Sequence, residues 1–439
     1  MWPTLKDAGN KQQTISIFGI LLSIVSKTKK SLFSAMVSTT RQTFSSLSVR
    51  NFRLFAIGQA ISLCGTWMQT VAMGWLVLQL THSGTQLGLV TAAQFLPILI
   101  IGVWGGVIAD RFNKRRILYL TQTLSGLLAL VLGILTLRGN IEVWMVYLIS
   151  LGFGLTLAVD SPARQAFVIE MVGKERIKNA VTINAIIVSF GRIIGPAIAG
   201  VTIAAFDVGP CFIFNAVSFI AVVVALMFMR KAELHPSRPV PKQKGQVVAG
   251  LKYAWHVPEI KTILVMMVII GTFAYEFPVV LPLLATKTFG GGAGTYSLLT
   301  SVMSVGAMVG GIYTAGKSKV GMKTIFRITA AFGTGMIALA YSPNIVTALI
   351  VLVLVGMYSM MFIATTNAAL QLTTSSEMRG RVMALLSITF LGTTPIGGPI
   401  MGYISTVASP RTGILIGGIS IFVAMALGRM SMGRRKLRA

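Results

Sequence analysis

Four charged side chains lie within stretches of the sequence that are otherwise apolar: Asp160, Arg164, Arg192 and Glu276. A charge at the centre of a bilayer costs at least about 2.5–3.5 kcal/mol, so each of them requires a partner or a function. A carboxylate in such a place can take up and release a proton. An arginine can pair with it, bind an anion or stabilise its charged form. We therefore treat Glu276, Asp160 and Arg192 as candidates for proton coupling.

Glu276 is the best placed of these candidates. It lies about 24 Å along a helix that begins near Ile260, at 1.5 Å per residue. Pro278 and Pro282 follow it in the stretch YEFPVVLP and predict a local break in that helix. Two interpretations are equally good: a carboxylate that loads and releases a proton in a cavity, or a structural carboxylate paired with an arginine.

Asp160 and Arg164 lie four residues apart in DSPARQ, near the predicted cytoplasmic end of the fourth helix. This spacing allows them to pair on one helix face, either as part of a gate or as a plain interfacial ion pair. Gln69 and Asn184 are weaker candidates for a substrate cavity. Buried amides need partners, and neighbouring helices can supply them as well as a substrate can.

The elements that position these residues are membrane-spanning helices. The chain has 439 residues, of which 54% are hydrophobic and 11% charged, whereas a soluble domain carries about 25% charged residues. Apolar runs of about 20 residues, the length that crosses a bilayer, recur along it. We predict twelve spans, at 54–79, 86–109, 117–137, 143–163, 180–204, 210–229, 262–285, 295–315, 324–341, 345–366, 382–407 and 412–430.

The net charge of +27 is compatible with nucleic-acid binding, but the positions of the basic residues argue against that function. These residues lie in short loops, and basic loops alternate with loops that are nearly uncharged. This positive-inside pattern places both termini in the cytoplasm. The opposite side carries the basic residues Arg138, Lys287 and Arg411.

The spans divide the chain into five parts: a basic extension (1–50), a six-helix bundle (51–230), a flexible cytoplasmic linker (231–258), a second six-helix bundle (259–430) and a basic tail (431–439). The stretches KERIKNAVTINAIIVSFGRIIGPAIAG and EMRGRVMALLSITFLGTTPIGGPIMG hold equivalent places in the two bundles. The sequence therefore predicts an all-α membrane protein with two pseudo-symmetric halves around a central cavity.

The apolar stretch 14–26 is too short to span a bilayer, and basic residues flank it. A helix that lies on the membrane surface is the favoured interpretation. A cleaved signal peptide and initiation at Met36 are the alternatives.

The most specific motif is GGVIADRFNKRR, between the second and third spans. Gly106 forms a small-xxx-small pair with Gly102, which predicts a close helix contact. Asp110 lies next to Arg111 at a helix end, which favours charge pairing. The residues that define the motif are Gly106, Asp110, Arg111, Lys114, Arg115 and Arg116.

This loop resembles the signature of the major facilitator superfamily, and the chain from about Asn51 to Gly428 is similar to the drug:H⁺ antiporter-3 branch, which includes macrolide efflux proteins and enterobactin exporters. The resemblance implies that the loop latches the outward-facing state and opens with the inner gate. The family usually has glycine where this chain has Asn113. Because asparagine tolerates the left-handed conformation, we expect the turn to survive.

A second motif, GRIIGPAIAG in the fifth span, contains Gly191, Gly195, Pro196 and Gly200. Pro196 removes a backbone donor and bends the helix, and the glycines admit a close neighbour. The stretch resembles the antiporter motif of exporting members of the superfamily, which implies export. Ordinary helix packing is the alternative interpretation.

Other motifs carry no catalytic chemistry. GIYTAGKS, at 311–318, matches a phosphate-binding loop, but a membrane helix precedes it where that loop requires a strand, so we treat the match as chance. The three histidines and two cysteines have no metal-ligand spacing, and no nucleophile–base set is present. We expect neither an enzyme nor a bound cofactor.

The sequence thus predicts a secondary transporter that exports a small amphipathic compound (a drug, siderophore or metabolite) by alternating access. A proton gradient is the expected energy source, inferred from the resemblance and Glu276. The resemblance also implies a monomer in the cytoplasmic membrane of a bacterium. The alternatives are an uptake or facilitative carrier of a metabolite or lipid, and a transporter-like receptor or assembly factor that carries no flux.

Overall fold

The computed structural model describes residues 45–173, 175–235, 246–315, 321–375 and 377–436. Within these ranges the chain is helical, with short turns and no strand. The predicted surface helix at 14–26 and the end of the GIYTAGKS stretch lie outside the described residues.

The described ranges contain fifteen α-helices. They are α1 (Arg50–Thr81), α2 (Gly84–Arg111), α3 (Lys114–Leu137), α4 (Val143–Val172), α5 (Ile177–Phe206), α6 (Gly209–Met227), α7 (Gln246–His256), α8 (Pro258–Ala274), α9 (Phe277–Leu283), α10 (Ala293–Ala315), α11 (Met322–Ala340), α12 (Ile345–Thr373), α13 (Arg379–Leu391), α14 (Thr394–Val407) and α15 (Pro410–Lys436).

Eleven segments of the described chain are long and apolar enough to cross a membrane. Two of them each comprise a pair of shorter helices, α8 with α9 and α13 with α14. The helix α11 holds the place of the ninth predicted span, and Lys323 and Arg327 in its first two turns make it less apolar. The all-α fold with two sets of spans is therefore confirmed. The predicted tail from residue 431 continues α15 as far as Lys436.

Two spans are interrupted. The first break separates α8 from α9 at Tyr275 and Glu276, with Pro278 in the first turn of α9, as the sequence predicts. The second break, at Gly392 and Thr393, was not predicted, because 382–407 reads as one apolar run. Pro395 follows this break in the first turn of α14.

The two halves of the molecule meet through glycines of α2 and α14. A Cβ atom at Gly88 would lie 2.2 Å from the carbonyl oxygen of Gly398, and one at Gly402 would lie 2.1 Å from that of Gly84. The Gly84 amide also donates to the hydroxyl of Thr406 at 2.9 Å. These contacts lie at the end of the bundle away from residues 111–116. We call this the opposite end, and the end that carries residues 111–116 the basic end.

The segments around the linker are docked on the two halves. The Asn51 side chain exchanges two hydrogen bonds with the backbone of Arg230, at 2.9 and 3.0 Å, and the His235 amide donates to the Glu170 carbonyl at 2.8 Å. The sequence predicts a flexible linker over 231–258 and does not predict the helix α7. This helix packs on α8 and α13, and the hydroxyl of Tyr253 accepts from the Ser375 amide at 3.3 Å. Residues 236–245 lie outside the described ranges.

Within the second half, α10 and α12 pack backbone against backbone. A Cβ atom at Gly310 would lie 2.2 Å from the carbonyl oxygen of Met357. At the next residue, Gly311, the nearest atom would be the Cγ of Met360 at 3.7 Å, an ordinary contact. The packing of the two helices therefore requires glycine at position 310 but not at the adjacent position 311.

We predict that Gly310→Ala lowers the free energy of unfolding by about 1–3 kcal/mol, because the methyl group forces the two helices apart. Gly311→Ala is the matched control. It should leave stability unchanged or raise it by up to about 1 kcal/mol, through helix propensity. The thermal unfolding temperature of each purified variant in detergent measures the difference. Equal temperatures for the two variants would contradict the backbone contact.

Candidate functional site

A cavity of about 260 Å³ lies between the two halves, and we call it the central cavity. Helices α1, α2 and α5 line it from the first half, and α9, α10, α12, α13 and α14 line it from the second. Its wall is mainly apolar, with a set of aromatic rings: Trp67, Phe95, Tyr275, Phe277, Tyr296 and Phe390. Such a wall suits the apolar body of a small molecule.

Glu276 lines the central cavity at the break between α8 and α9. Its residue is 2% exposed, and no cation in the described chain pairs with the carboxylate. The neighbouring hydroxyl of Thr394 is a donor, but it lacks hydrogen-bonding geometry to either oxygen. A Cβ atom at Gly397 would lie 2.8 Å from Oε1, and one at Gly398 would lie 3.5 Å from Oε2. The glycine pair of α14 therefore makes the space that the carboxylate occupies.

Arg192, in the middle of α5, lines the same cavity. Its guanidinium lies over the ring of Trp67, 5.0 Å from the centroid, which stabilises the cation. Its Nε is buried and has no acceptor in the described chain. The ion pairs found among the described residues involve other side chains. The structure thus brings the predicted candidates Arg192 and Glu276 to one cavity without pairing them.

Asp160 lies in a polar cluster within the first half. Its residue is 4% exposed, and its Oδ1 accepts from the Thr121 hydroxyl at 2.7 Å and from the Gln122 amide at 2.8 Å. Its Oδ2 accepts from Nε of Arg164 at 2.9 Å, and Arg164 also donates to Gln59. The predicted pair therefore exists, inside a hydrogen-bonded network.

The position of this pair corrects the sequence analysis, which placed it near the end of the fourth helix. The helix α4 continues to Val172, nine residues beyond the predicted end, so Asp160 lies within it. The predicted span, 143–163, ended just before Arg164, but the pairing of Arg164 with Asp160 allows both charges to lie inside the bundle. A second cavity of about 280 Å³ adjoins the cluster, and Asn184 lines it together with Gln94 and Gln165.

Gln69 does not line either of these two cavities. It is 7% exposed, and its side-chain oxygen accepts from the amide of Asn215 at 2.7 Å. The prediction of a cavity residue at this position was therefore wrong in this structure. The pair of amides holds α1 against α6, which is the packing alternative.

The loop between α2 and α3 has charges in three different environments. Lys114 forms a buried ion pair with Glu170 of α4 at 3.1 Å. Arg115 donates to the carbonyl of Leu226 at 2.6 and 3.0 Å, at the end of α6. Asp110, Arg111 and Arg116 are exposed, and within the described residues Asp110 forms no ion pair, so its expected pairing with Arg111 does not occur.

Two further details of this loop differ from the predictions. Gly106 has no atom within 4 Å of a Cβ position, whereas one at Gly105 would lie 2.0 Å from the carbonyl oxygen of Ala158, so the close helix contact is at Gly105. Asn113 has an extended conformation rather than a left-handed one. It caps α3, and its side chain accepts from the Arg116 amide at 3.1 Å.

The second motif lies on α5 and faces two partners. A Cβ atom at Gly195 would lie 2.6 Å from that of Trp67, and Gly191 packs on Leu63 of the same helix, α1. A Cβ atom at Gly200 would lie 2.8 Å from that of Ser297 in α10, so this glycine packs closely on the other half. Pro196 lies inside α5, which continues through it to Phe206.

Three functional features were missed by the sequence analysis. Glu170 lies in FVIEMV, a charge in an apolar stretch, but it fell outside the predicted fourth helix. Tyr275 precedes Glu276, lines the central cavity and donates its hydroxyl to the Ser359 carbonyl at 2.7 Å. Gly397 and Gly398 make space for the Glu276 carboxylate, and nothing in the sequence except the Gly-Gly pair itself indicates this contact.

We predict that Asp160→Asn destabilises the protein by about 3–5 kcal/mol, because it leaves the Arg164 cation inside the bundle without its carboxylate. Glu233→Gln is the control, since it breaks the ion pair between Glu233 and Arg230. The side chains of these two residues are 39% and 65% exposed, respectively. That loss should not exceed about 1 kcal/mol. Thermal unfolding in detergent compares the two. A small effect of Asp160→Asn would mean that Asp160 does not hold the cluster together.

Comparisons with known proteins agree with this architecture. The family model described as "transmembrane secretion effector" matches residues 41–436. The staphyloferrin A transporter of Staphylococcus aureus is 26% identical, over 82% of this chain and 91% of that protein. The multidrug efflux pump Tap of Mycolicibacterium fortuitum is 23% identical, over 84% and 90%. The enterobactin exporter EntS of Salmonella paratyphi A is 23% identical, over 87% and 92%.

A solved structure shares the fold. The inward-facing, unoccupied form of a bacterial homologue of the human lysosomal transporter Spinster superposes with a TM-score of 0.69. It is 14% identical, over 87% of this chain and 96% of that chain. The family model confirms the predicted resemblance to the major facilitator superfamily, and the solved structure agrees with it in fold.

Proposed function

The chain belongs to the transmembrane secretion effector family of the major facilitator superfamily, and we propose that it exports a small amphipathic compound in exchange for protons. It is a membrane transporter and not an enzyme. Relatives of known function carry siderophores or drugs, and these compound classes are the first to test. Because one chain supplies both walls of the central cavity, we propose that it works as a monomer, in the cytoplasmic membrane of a bacterium.

The observation that carries the proposal is the buried carboxylate of Glu276 in the wall of the central cavity, with no cation paired to it in the described chain. An ionised carboxylate in that place needs a partner, which a proton or a group on the substrate can supply. A proton and a substrate group that bind the same two carboxylate oxygens exclude each other. Mutual exclusion at one site is what an exchanger requires.

The contacts between the halves support alternating access. The halves meet at the opposite end, through Gly88 and Gly398 of α2 and α14 and through Gly200 and Ser297 of α5 and α10. At the basic end, Asp110 is exposed and unpaired among the described residues. The positive-inside rule makes the basic end cytoplasmic. We therefore propose that this conformation opens to the cytoplasm and that the loop at Asp110 closes when the cavity faces outward.

Glu276→Gln should abolish the proton movement that a transported compound drives, because the amide cannot take up a proton. The measurement uses purified protein in liposomes with an internal pH dye and a panel of drugs, siderophores and lipophilic cations. Glu175→Gln is the matched control, since Glu175 is an exposed carboxylate in the loop before α5. Wild type and the control variant should behave alike.

Two results would contradict parts of the proposal. Proton movement that is equal in Glu276→Gln and wild type would exclude Glu276 as the coupling residue. Under an imposed pH gradient, exchange concentrates the compound on the acidic side, whereas cotransport concentrates it on the alkaline side. Accumulation on the alkaline side, or flux without proton movement, would replace export with uptake or facilitated transport.

A further inference from the structure

We infer that the compound carried is bipolar: it has an anionic group that binds Arg192, a hydrogen-bond donor (a hydroxyl or an ammonium) that binds Glu276, and an apolar body that packs on the wall of the same cavity. The inference rests on the proposed export function and names the class of substrate for the same cavity. It follows from two unpaired groups of opposite charge that line one space.

The first of these groups is the guanidinium of Arg192. It lies 5.0 Å from the centroid of the Trp67 ring, a side chain that has no hydrogen-bond acceptor to offer it. Within the described chain, no carboxylate pairs with it, and its buried Nε has no acceptor. An arginine presents a planar set of donors that matches a carboxylate or another oxyanion. The position is therefore built for an anion that the described chain does not supply.

The second group is the carboxylate of Glu276. Both of its oxygens are buried, no cation in the described chain pairs with them, and the nearby hydroxyl of Thr394 lacks hydrogen-bonding geometry to them. Gly397 and Gly398 lie against it and bring no side chain that could bond to it. An acceptor of this kind recognises a hydroxyl or an ammonium group.

The two groups share the central cavity and yet form no ion pair with each other. In a membrane protein, direct pairing would be the simplest way to neutralise both. A ligand with complementary ends neutralises both at once and displaces no existing ion pair. The wall of the same cavity also offers Tyr275, Phe277 and Phe390, which suit an apolar or aromatic body.

The same arrangement explains how a proton competes with the substrate. The ionised carboxylate accepts from the donor on the substrate, and a proton on that carboxylate removes an acceptor site. The titratable or charged groups that face Glu276 across the cavity are Arg192 of α5 and Tyr296 of α10, with Tyr275 beside it in the chain. The helices α2, α14 and α15 present Gly88, Thr394, Gly397, Gly398 and Gly413, which do not titrate. Binding of a bipolar ligand should therefore weaken as the pH falls.

The test uses three probes that share one ring system: naphthylalanine, which is bipolar, naphthylpropionate, which is anionic, and naphthylethylamine, which is cationic. Equilibrium binding to the purified protein is measured by ligand-induced thermal shift, without transport. Naphthylalanine should bind at least about tenfold more tightly than either of the others, because each added polar contact contributes about 1.4 kcal/mol.

The variants should change the ranking of the probes. Arg192→Gln should weaken naphthylalanine and naphthylpropionate by about 30-fold or more and leave naphthylethylamine unweakened, because it removes the partner of an anion. Glu276→Gln should reduce naphthylalanine to the affinity of naphthylpropionate and remove the dependence of its binding on pH. Arg138→Gln and Glu175→Gln, which change exposed charges, should keep the wild-type ranking.

Several outcomes would overturn the inference: tightest binding of the amine by wild type, an equal loss of all three probes in Arg192→Gln, or no binding of naphthylalanine at millimolar concentration. A misfolded variant would lose every probe at once, so the ranking separates recognition from folding. If the ranking holds and the liposomes show no proton exchange, the substrate class stands and the proposed coupling fails.

Discussion

The cost of placing a charge in hydrocarbon governs this structure. Two pairs of charges, Lys114 with Glu170 and Asp160 with Arg164, are neutralised within the first half. Arg192 and Glu276 are left without such a partner in the described chain, and both line the cavity between the halves. The fold therefore neutralises the charges that lie inside the first half and leaves unpaired those that line the space between the halves.

The contact between the halves has a different chemistry from the contacts inside each half. At the opposite end, α2 and α14 touch through glycine backbone, and among the described residues no ion pair crosses between the halves. A backbone contact of this type forms by close van der Waals packing. Separating it leaves no bare charge in the membrane. The proposed alternating access requires such a surface to open and close in each transport cycle.

The position of a residue along its helix could be predicted from the sequence. The side of the helix on which its side chain lies could not. The spans, the two halves, the break at Pro278 and the depth of Glu276 follow from hydropathy and proline chemistry. Which side a residue faces depends on how neighbouring helices pack. Gln69 for this reason pairs with Asn215 instead of lining a cavity, and Gly105 rather than Gly106 meets a neighbour. Glu170 was missed because its helix is longer than its apolar run.

The docked segments on either side of the linker give the molecule a modular construction. His235 is bonded to the first half, and α7 is packed on the second, so each half retains its own end of the connection. A chain divided between His235 and Gln246 would yield two fragments that each keep their stabilising contacts. Reassembly of such fragments in a membrane would then depend on the contacts between the halves, of α2 with α14 and of α5 with α10. The two halves would thus behave as two subunits that are joined by a linker.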